Sequence, residues 1–133
     1  MRRVLIPFLM VAAQALSAAG FDPAKDVSLS LAGGALSLTL PENVHLKARS
    51  FKVALVSRGS LTCAPLPATS EIDDAGDPIL RGTVRLALTG HKLEDPVRLL
   101  VTYQPCTEGP DGVCFLPVKR TVAAAAEVIP GTN

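Results

Sequence analysis

Cys106 and Cys114 are the two residues of this chain whose type and spacing could do chemistry. They bracket TEGPDGV inside the stretch VTYQPCTEGPDGVCFLPVKRTV, residues 101–122. Two thiols facing each other across a hairpin mouth can cycle between dithiol and disulfide, a partner's thiolate attacking one sulfur while the other leaves. Gly109, Pro110, Asp111 and Gly112 favour a tight turn between them. If the flanking strands pair, the sulfurs come within the separation that a disulfide tolerates. As a staple the bond is weak: closing so short a loop stabilises by about 2.6 kcal/mol in the chain-entropy model, and less where a hairpin already restrains its ends. An immunoglobulin-type staple instead ties two sheets together across a long stretch of chain. Spacing alone leaves both a structural and a redox role open. Glu108 and Asp111 place negative charge in the loop, which disfavours a thiolate, and Arg120 lies roughly 20 Å from Cys114 along an extended strand. Neither cysteine has a sequence reason for a strongly lowered pKa, which suits a relay better than a strong oxidant.

The elements that must position these thiols read as strands. Apolar residues recur at every second position, the period of a half-buried strand rather than of a helix. Val27, Leu29 and Leu31 alternate with Ser28 and Ser30, and Leu36, Leu38 and Leu40 with Ser37 and Thr39, on either side of Gly33-Gly34. That pattern predicts a hairpin. Phe51, Val53 and Leu55 form a third set, Val84, Leu86 and Leu88 a fourth, and Val97, Leu99, Val101 and Tyr103 a fifth; CFLPVKRTV begins a last strand. Pro41-Glu42-Asn43, the segment CAPLPATSEIDDAGDP, residues 90–96 and the cysteine loop punctuate them. The run Ala123 to Ala126 reads as a final strand edge and tail. Six or seven short strands with turn signals about every ten residues define an all-β fold, an immunoglobulin-like antiparallel β-sandwich. The buried Trp of antibody domains is missing, because the chain has no Trp.

The first residues, MRRVLIPFLMVAAQALSAAG, carry Arg2 and Arg3, an apolar run from Val4 to Ala13, and then small residues. This is the layout of a secretory signal peptide, with a core shorter than the roughly 20 residues of a membrane span. Residues 1–19 are therefore read as the signal peptide, with cleavage between Leu16 and Gly20, and 20–133 as one domain. Removing Arg2 and Arg3 lowers Lys+Arg from 13 to 11 against 12 Asp+Glu, so the net charge moves from +1 to −1. Such a balance points to neither nucleic acid nor an anionic membrane. The Arg pair and the short chain suggest a bacterial periplasm, where disulfides persist.

VTYQPC, a short Gly-containing loop and VCFLPVKRTV together resemble the signature of the N-terminal periplasmic (alpha) domain of the thiol:disulfide interchange protein DsbD. There a Tyr-Gln pair precedes the first cysteine, and an aromatic and a Pro follow the second. The likeness is specific over Tyr103 to Thr121 and runs as an ordered set of strands from about Val27. It implies an immunoglobulin-like module that acts as a protein-disulfide reductase without a cofactor. Such a module takes electrons from a membrane-embedded thiol reductase and passes them to periplasmic thioredoxin-fold proteins. By position, Cys106 and Cys114 become the redox pair, Cys114 forming the mixed disulfide with partners and Cys106 resolving it. Tyr103, Gln104, Phe115 and Pro117 become supporting residues, and Glu71, Asp73 and Asp74 the acidic part of a cap loop. The sequence departs from the signature in three ways. Its SEIDDAGDPIL cap carries no aromatic, VHLKA around His45 replaces a pair of tyrosines, and the inter-cysteine loop is slightly long. Since the chain ends at Asn133, the donor is expected to be a separate protein, and the module itself a monomer.

Other candidates weigh less. Cys63 reads as a small hydrophobe buried in a strand before the Pro-rich loop. A copper site built from Cys63, Cys106, Cys114 and His45 or His91 lacks paired ligand spacing, and both methionines, Met1 and Met10, fall in the signal. Tyr103 reads as a core residue with a satisfied hydroxyl that could also pack beside the disulfide. Hydrolysis by a Ser/His/Asp set is disfavoured, with no nucleophile elbow and both histidines in loop-like sequence. Asp73, Asp74 and Asp77 read as a loose, solvated acidic loop. Two functions stand against each other: a redox relay, and a non-catalytic exported binding or adaptor sandwich with a structural disulfide.

Overall fold

The structure, a computed structural model, describes residues 20–131; the expected signal peptide lies outside them. Ten strands follow in chain order: β1 (Ser28–Ala32), β2 (Ala35–Thr39), β3 (Val44–Lys47), β4 (Lys52–Leu55), β5 (Ser60–Cys63), β6 (Ile79–Leu80), β7 (Thr83–His91), β8 (Val97–Tyr103), β9 (Pro105–Thr107) and β10 (Val118–Ala124). They form three sheets, ordered β1-β2-β7-β5, β10-β8-β4 and β6-β3-β9. Every pairing is antiparallel. The predicted all-β, immunoglobulin-like sandwich is the observed fold. Among the described residues no helix is long and apolar enough to cross a membrane.

The alternation read in the sequence sets the layers. β7 is buried at every second residue over its nine positions, and β8 buries Val97, Leu99, Val101 and Tyr103. These two strands pack Val84, Leu86 and Leu88 on one side and the β8 set on the other into a single core with Leu31, Leu36 and Leu38. Burying each such side chain stabilises the fold by about 1.5–3 kcal/mol relative to exposure. The hairpin between β1 and β2 turns at Gly33 and Gly34, with φ of 59° and 73°. Both central residues of such a turn need positive φ, which glycine adopts without a Cβ penalty. At Gly34 a Cβ would also lie 2.4 Å from the Pro130 ring, so that position is closed to larger residues.

Three short strands, β3, β6 and β9, bring the count to ten against the six or seven read from the sequence. The first of them overturns one reading. His45 lies inside β3, and His91 is the last residue of β7, so neither histidine is in a loop. Val44 and Leu46 point into the core and His45 points away from it, which makes VHLK a two-residue period too short to stand out. At the other end, β10 is followed by one 3₁₀ turn, Ala126–Val128.

The small β6-β3-β9 sheet grows from a change of partner. β8 pairs with β10 and β4 as far as Tyr103; the chain then passes Gln104 and pairs with β3 as β9. Gln104 is the corner. Its carbonyl accepts from the Lys47 amide at 3.0 Å, its Oε1 accepts from Ser50 Oγ at 2.8 Å, and its Nε2 donates to the Phe115 carbonyl at 3.0 Å. The cysteine pair sits immediately after this corner.

Candidate functional site: a disulfide hairpin on a charged sheet face

Cys106, in β9, is bonded to Cys114, with Cα atoms 3.9 Å apart. The Thr107 amide donates to the Val113 carbonyl at 2.8 Å and the Phe115 amide to the Pro105 carbonyl at 3.0 Å. These bonds flank the cysteines, so the two are a non-hydrogen-bonded antiparallel pair, the kind whose side chains approach most closely. The hairpin expected from the sequence is therefore present and carries the disulfide at its mouth. Within the loop, the Thr107 hydroxyl accepts from the Val113 amide at 3.0 Å. Gly112 packs so tightly that a Cβ there would lie 2.4 Å from the Thr107 carbonyl oxygen.

The pair is asymmetric. Cys106 is only 1% exposed, whereas Cys114 is exposed, with Val113 (54%) and Leu116 (86%) on either side of it. On the inner side, Phe115 packs its ring against Phe21 with centroids 5.6 Å apart, and Pro117 is exposed. Tyr103 is fully buried in the sandwich core; its hydroxyl donates to the Pro23 carbonyl at 2.8 Å and accepts from Arg120 at 3.1 Å. Of the four residues read as supports, Gln104 and Phe115 are tied to the hairpin, while Tyr103 braces the core and the N-terminal segment.

The face of the β6-β3-β9 sheet turned away from the core is built by register. His45 pairs with Cys106 and Lys47 with Ile79, so these four side chains share that face. Two residues on from Cys106 and Ile79, Glu108 and Arg81 follow on the same side. His45 Nδ1 bonds Glu108 Oε2 at 2.8 Å, and Arg81 bonds both Glu108 and, at 2.8 Å, Glu71. Burial favours the neutral form of Glu108, but the hydrogen bonds from His45 and Arg81 outweigh it and hold the carboxyl below its usual range. Glu108 is thus a paired carboxylate whose charge is met by His45 and Arg81, rather than one that simply opposes a thiolate as expected from the sequence.

The acidic segment is fastened rather than loose. Asp73 Oδ1 accepts from the amides of Ala75 and Asp77, both at 2.9 Å, which folds residues 73–77 into a tight turn closed by the Ile72–Pro78 bridge. Lys47 donates to Asp73 and, at 3.4 Å, to Asp77; Arg49 bonds Asp77 at 2.9 Å. Lys47 and the amides of Asp77 and Ala75 lower the Asp73 pKa to about 2. Asp74 lies exposed at the turn. Ion pairs to Lys47, Arg49 and Arg81 thus attach this acidic segment to the face that bears Cys106, without an aromatic. Sequence reasoning missed Lys47 and Arg81; the signal was their position one strand step beyond buried Leu46 and Leu80.

Cys63 is half-buried in β5, opposite Leu88, and burial pushes its thiol pKa up. Among the described residues no group of three or more His, Cys, Asp or Glu side chains is placed to hold a metal ion.

Fold and site define an all-β sandwich with a disulfide hairpin on one sheet edge, one cysteine buried and the other at the surface. Among solved structures, the chain is similar to the Neisseria meningitidis DsbD N-terminal domain in the reduced form: TM-score 0.57, 19% identity, covering 82% of this chain and 94% of that one. The shared feature at that identity is the fold. No family model and no curated protein matches the chain by sequence.

Proposed function

We propose that this chain is a thiol–disulfide exchange module of the periplasm, exported by residues 1–19 and folded over 20–133. It relays electrons from a membrane-embedded thiol reductase to thioredoxin-fold proteins through Cys106 and Cys114. The observation that carries this reading is the asymmetry of the disulfide, one residue buried beneath the sheet edge and the other exposed between two apolar side chains. The fold shared with the DsbD N-terminal domain supports it.

In the loading half, a donor thiolate attacks Cys114 Sγ; the 106–114 bond breaks and Cys106 leaves with its electron pair, taking up a proton. A second donor thiol then resolves the mixed disulfide, leaving both cysteines as thiols. In the delivery half, the Cys114 thiolate attacks an acceptor's disulfide, and Cys106 displaces the acceptor by attacking Cys114 Sγ. The acceptor leaves as a dithiol and the 106–114 disulfide is restored.

Single-cysteine variants test the assignment. In periplasmic extract, Cys106→Ala should accumulate mixed disulfides through Cys114, and Cys114→Ala should accumulate none. Titrated against glutathione, the wild-type pair should equilibrate in the thioredoxin range rather than stay oxidised below about −300 mV, the behaviour of a structural bond. An unreducible pair and no trapped partner from either variant would leave only the non-catalytic sandwich.

A further inference from the structure

Four side chains stand in one cross-strand row on the outer face of the small sheet. Cys114 opposes Cys106, Cys106 opposes His45, and continuing the β3–β6 register by one residue sets Arg81 opposite His45. Paired residues in such a row have Cβ atoms about 4.5–5.5 Å apart, so His45 is the titratable residue directly opposite Cys106 on β3. His45 is only 9% exposed. Its Nδ1 lies 2.8 Å from Glu108 Oε2, and Glu108 is in turn held by Arg81. A carboxylate can only accept, so Nδ1 carries the hydrogen and Nε2 is the nitrogen free to exchange a proton. A buried sulfur needs a neighbouring group to take the thiol's proton and to return one to the thiolate, and Cys106 is the buried member of the pair.

We propose that His45, oriented by Glu108, is the proton acceptor and donor for the Cys106 sulfur during exchange. This rests on the exchange reading above. When Cys106 attacks Cys114 Sγ of a mixed disulfide, its S–H proton passes to His45 Nε2, the new 106–114 bond forms, and the partner's sulfur leaves with the electron pair of the broken bond. In the opposite half-cycle the 106–114 bond breaks, Cys106 takes its electron pair, and the imidazolium of His45 protonates it. Glu108 acts through His45 and is a positioning residue.

The pH profile isolates His45 from its surroundings. The other groups on or over this face are Lys47 on its own strand, Arg49 in the turn after it, Arg81 beyond β6, Glu108 beyond β9, and Glu71, Asp73 and Asp77 from the acidic segment. Carboxylates titrate below, and Lys and Arg above, the window of about pH 5 to 8 in which histidine changes charge. His91 ends β7, in a different sheet.

The test is the rate at which dithiothreitol reduces the purified protein from pH 5 to 9, divided by the dithiothreitol thiolate concentration. Wild type should show a corrected rate that falls with an inflection in the histidine window as the acid is lost. His45→Gln, which can still bond Glu108, should lose the inflection and be slower by about tenfold at pH 6, less than the hundredfold or more typical of general acid catalysis because a thiolate is a good leaving group. Glu108→Gln should move the inflection to lower pH while keeping it, and serves if His45→Gln does not fold. A His45→Gln profile that superimposes on wild type, or a Glu108→Gln inflection that does not move, overturns the proposal and leaves the exchange function standing. A wild-type disulfide that dithiothreitol does not reduce overturns both.

Discussion

Gln104 donates from Nε2 to the carbonyl of Phe115 at 3.0 Å, joining the residue two before the first cysteine to the one just after the second. Its Oε1 accepts from Ser50 Oγ, so one amide ties the hairpin to the turn after β3. Gln104→Ala removes both bonds where the chain changes sheets. At about 0.5–1.5 kcal/mol per hydrogen bond, the loss should be about 1–3 kcal/mol. A lower urea midpoint with an unchanged slope is the expected result. An unchanged midpoint would mean that β9 holds its place without this corner.

Tyr103 precedes the first cysteine by three residues but belongs to the core. Tyr103→Phe keeps the ring and removes the donor to Pro23 and the acceptor for Arg120. Leaving those partners unsatisfied should cost about 1–3 kcal/mol. The rate of disulfide reduction by dithiothreitol should stay within twofold of wild type, on the order of the scatter expected when no contact at the reacting atoms changes. A variant of normal stability but slowed reduction would tie the hydroxyl to the reacting sulfurs instead.

The acidic segment should respond to acid through Asp73. Its folded pKa of about 2 lies below its ordinary 3.8, chiefly because Lys47 bonds it. A carboxyl depressed by folding contributes stability that is fully present above its unfolded pKa and is lost as pH falls through the folded value. The contribution should therefore disappear between about pH 4 and pH 2. Asp73→Asn should flatten that part of the stability curve, as read from urea midpoints at each pH. If wild type and Asp73→Asn lose stability in parallel across this window, the Lys47–Asp73 pair does not fasten the acidic segment.

Much of the sandwich was legible because its long strands bury one face. β7 and β8 alternate over nine and seven residues, enough repeats for a period of two to declare itself. The small sheet was not legible, because β3, β6 and β9 are four, two and three residues long. In strands that short, pairing is set by neighbours rather than by periodicity. The cysteine pair and its hairpin could be read from local spacing and turn residues. The row His45–Cys106 could not, since it joins residues 61 positions apart through a register that only the folded chain defines. The same holds for Lys47 and Arg81, whose partners come from the cap and the cysteine loop.

Cys63 provides the last test, because three thiols become available on reduction and the structure ranks them. Cys63 is half-buried in β5 and its pKa is raised by burial, so little thiolate forms near neutral pH. Alkylation requires the thiolate and access to it. Cys114 is exposed and Cys106 buried. In the reduced protein, iodoacetamide should therefore modify Cys114 first, with Cys63 following slowly and accelerating only at alkaline pH. Peptide mass mapping of a labelling time course at pH 7.5 reads the order directly. Cys63→Ala should leave dithiothreitol reduction of the 106–114 bond unchanged and lower stability by about 1 kcal/mol, the usual size for truncating a partly buried side chain. Labelling of Cys63 as fast as Cys114 would show that β5 opens at the edge of its sheet, and would make this third thiol a competitor for the 106–114 disulfide.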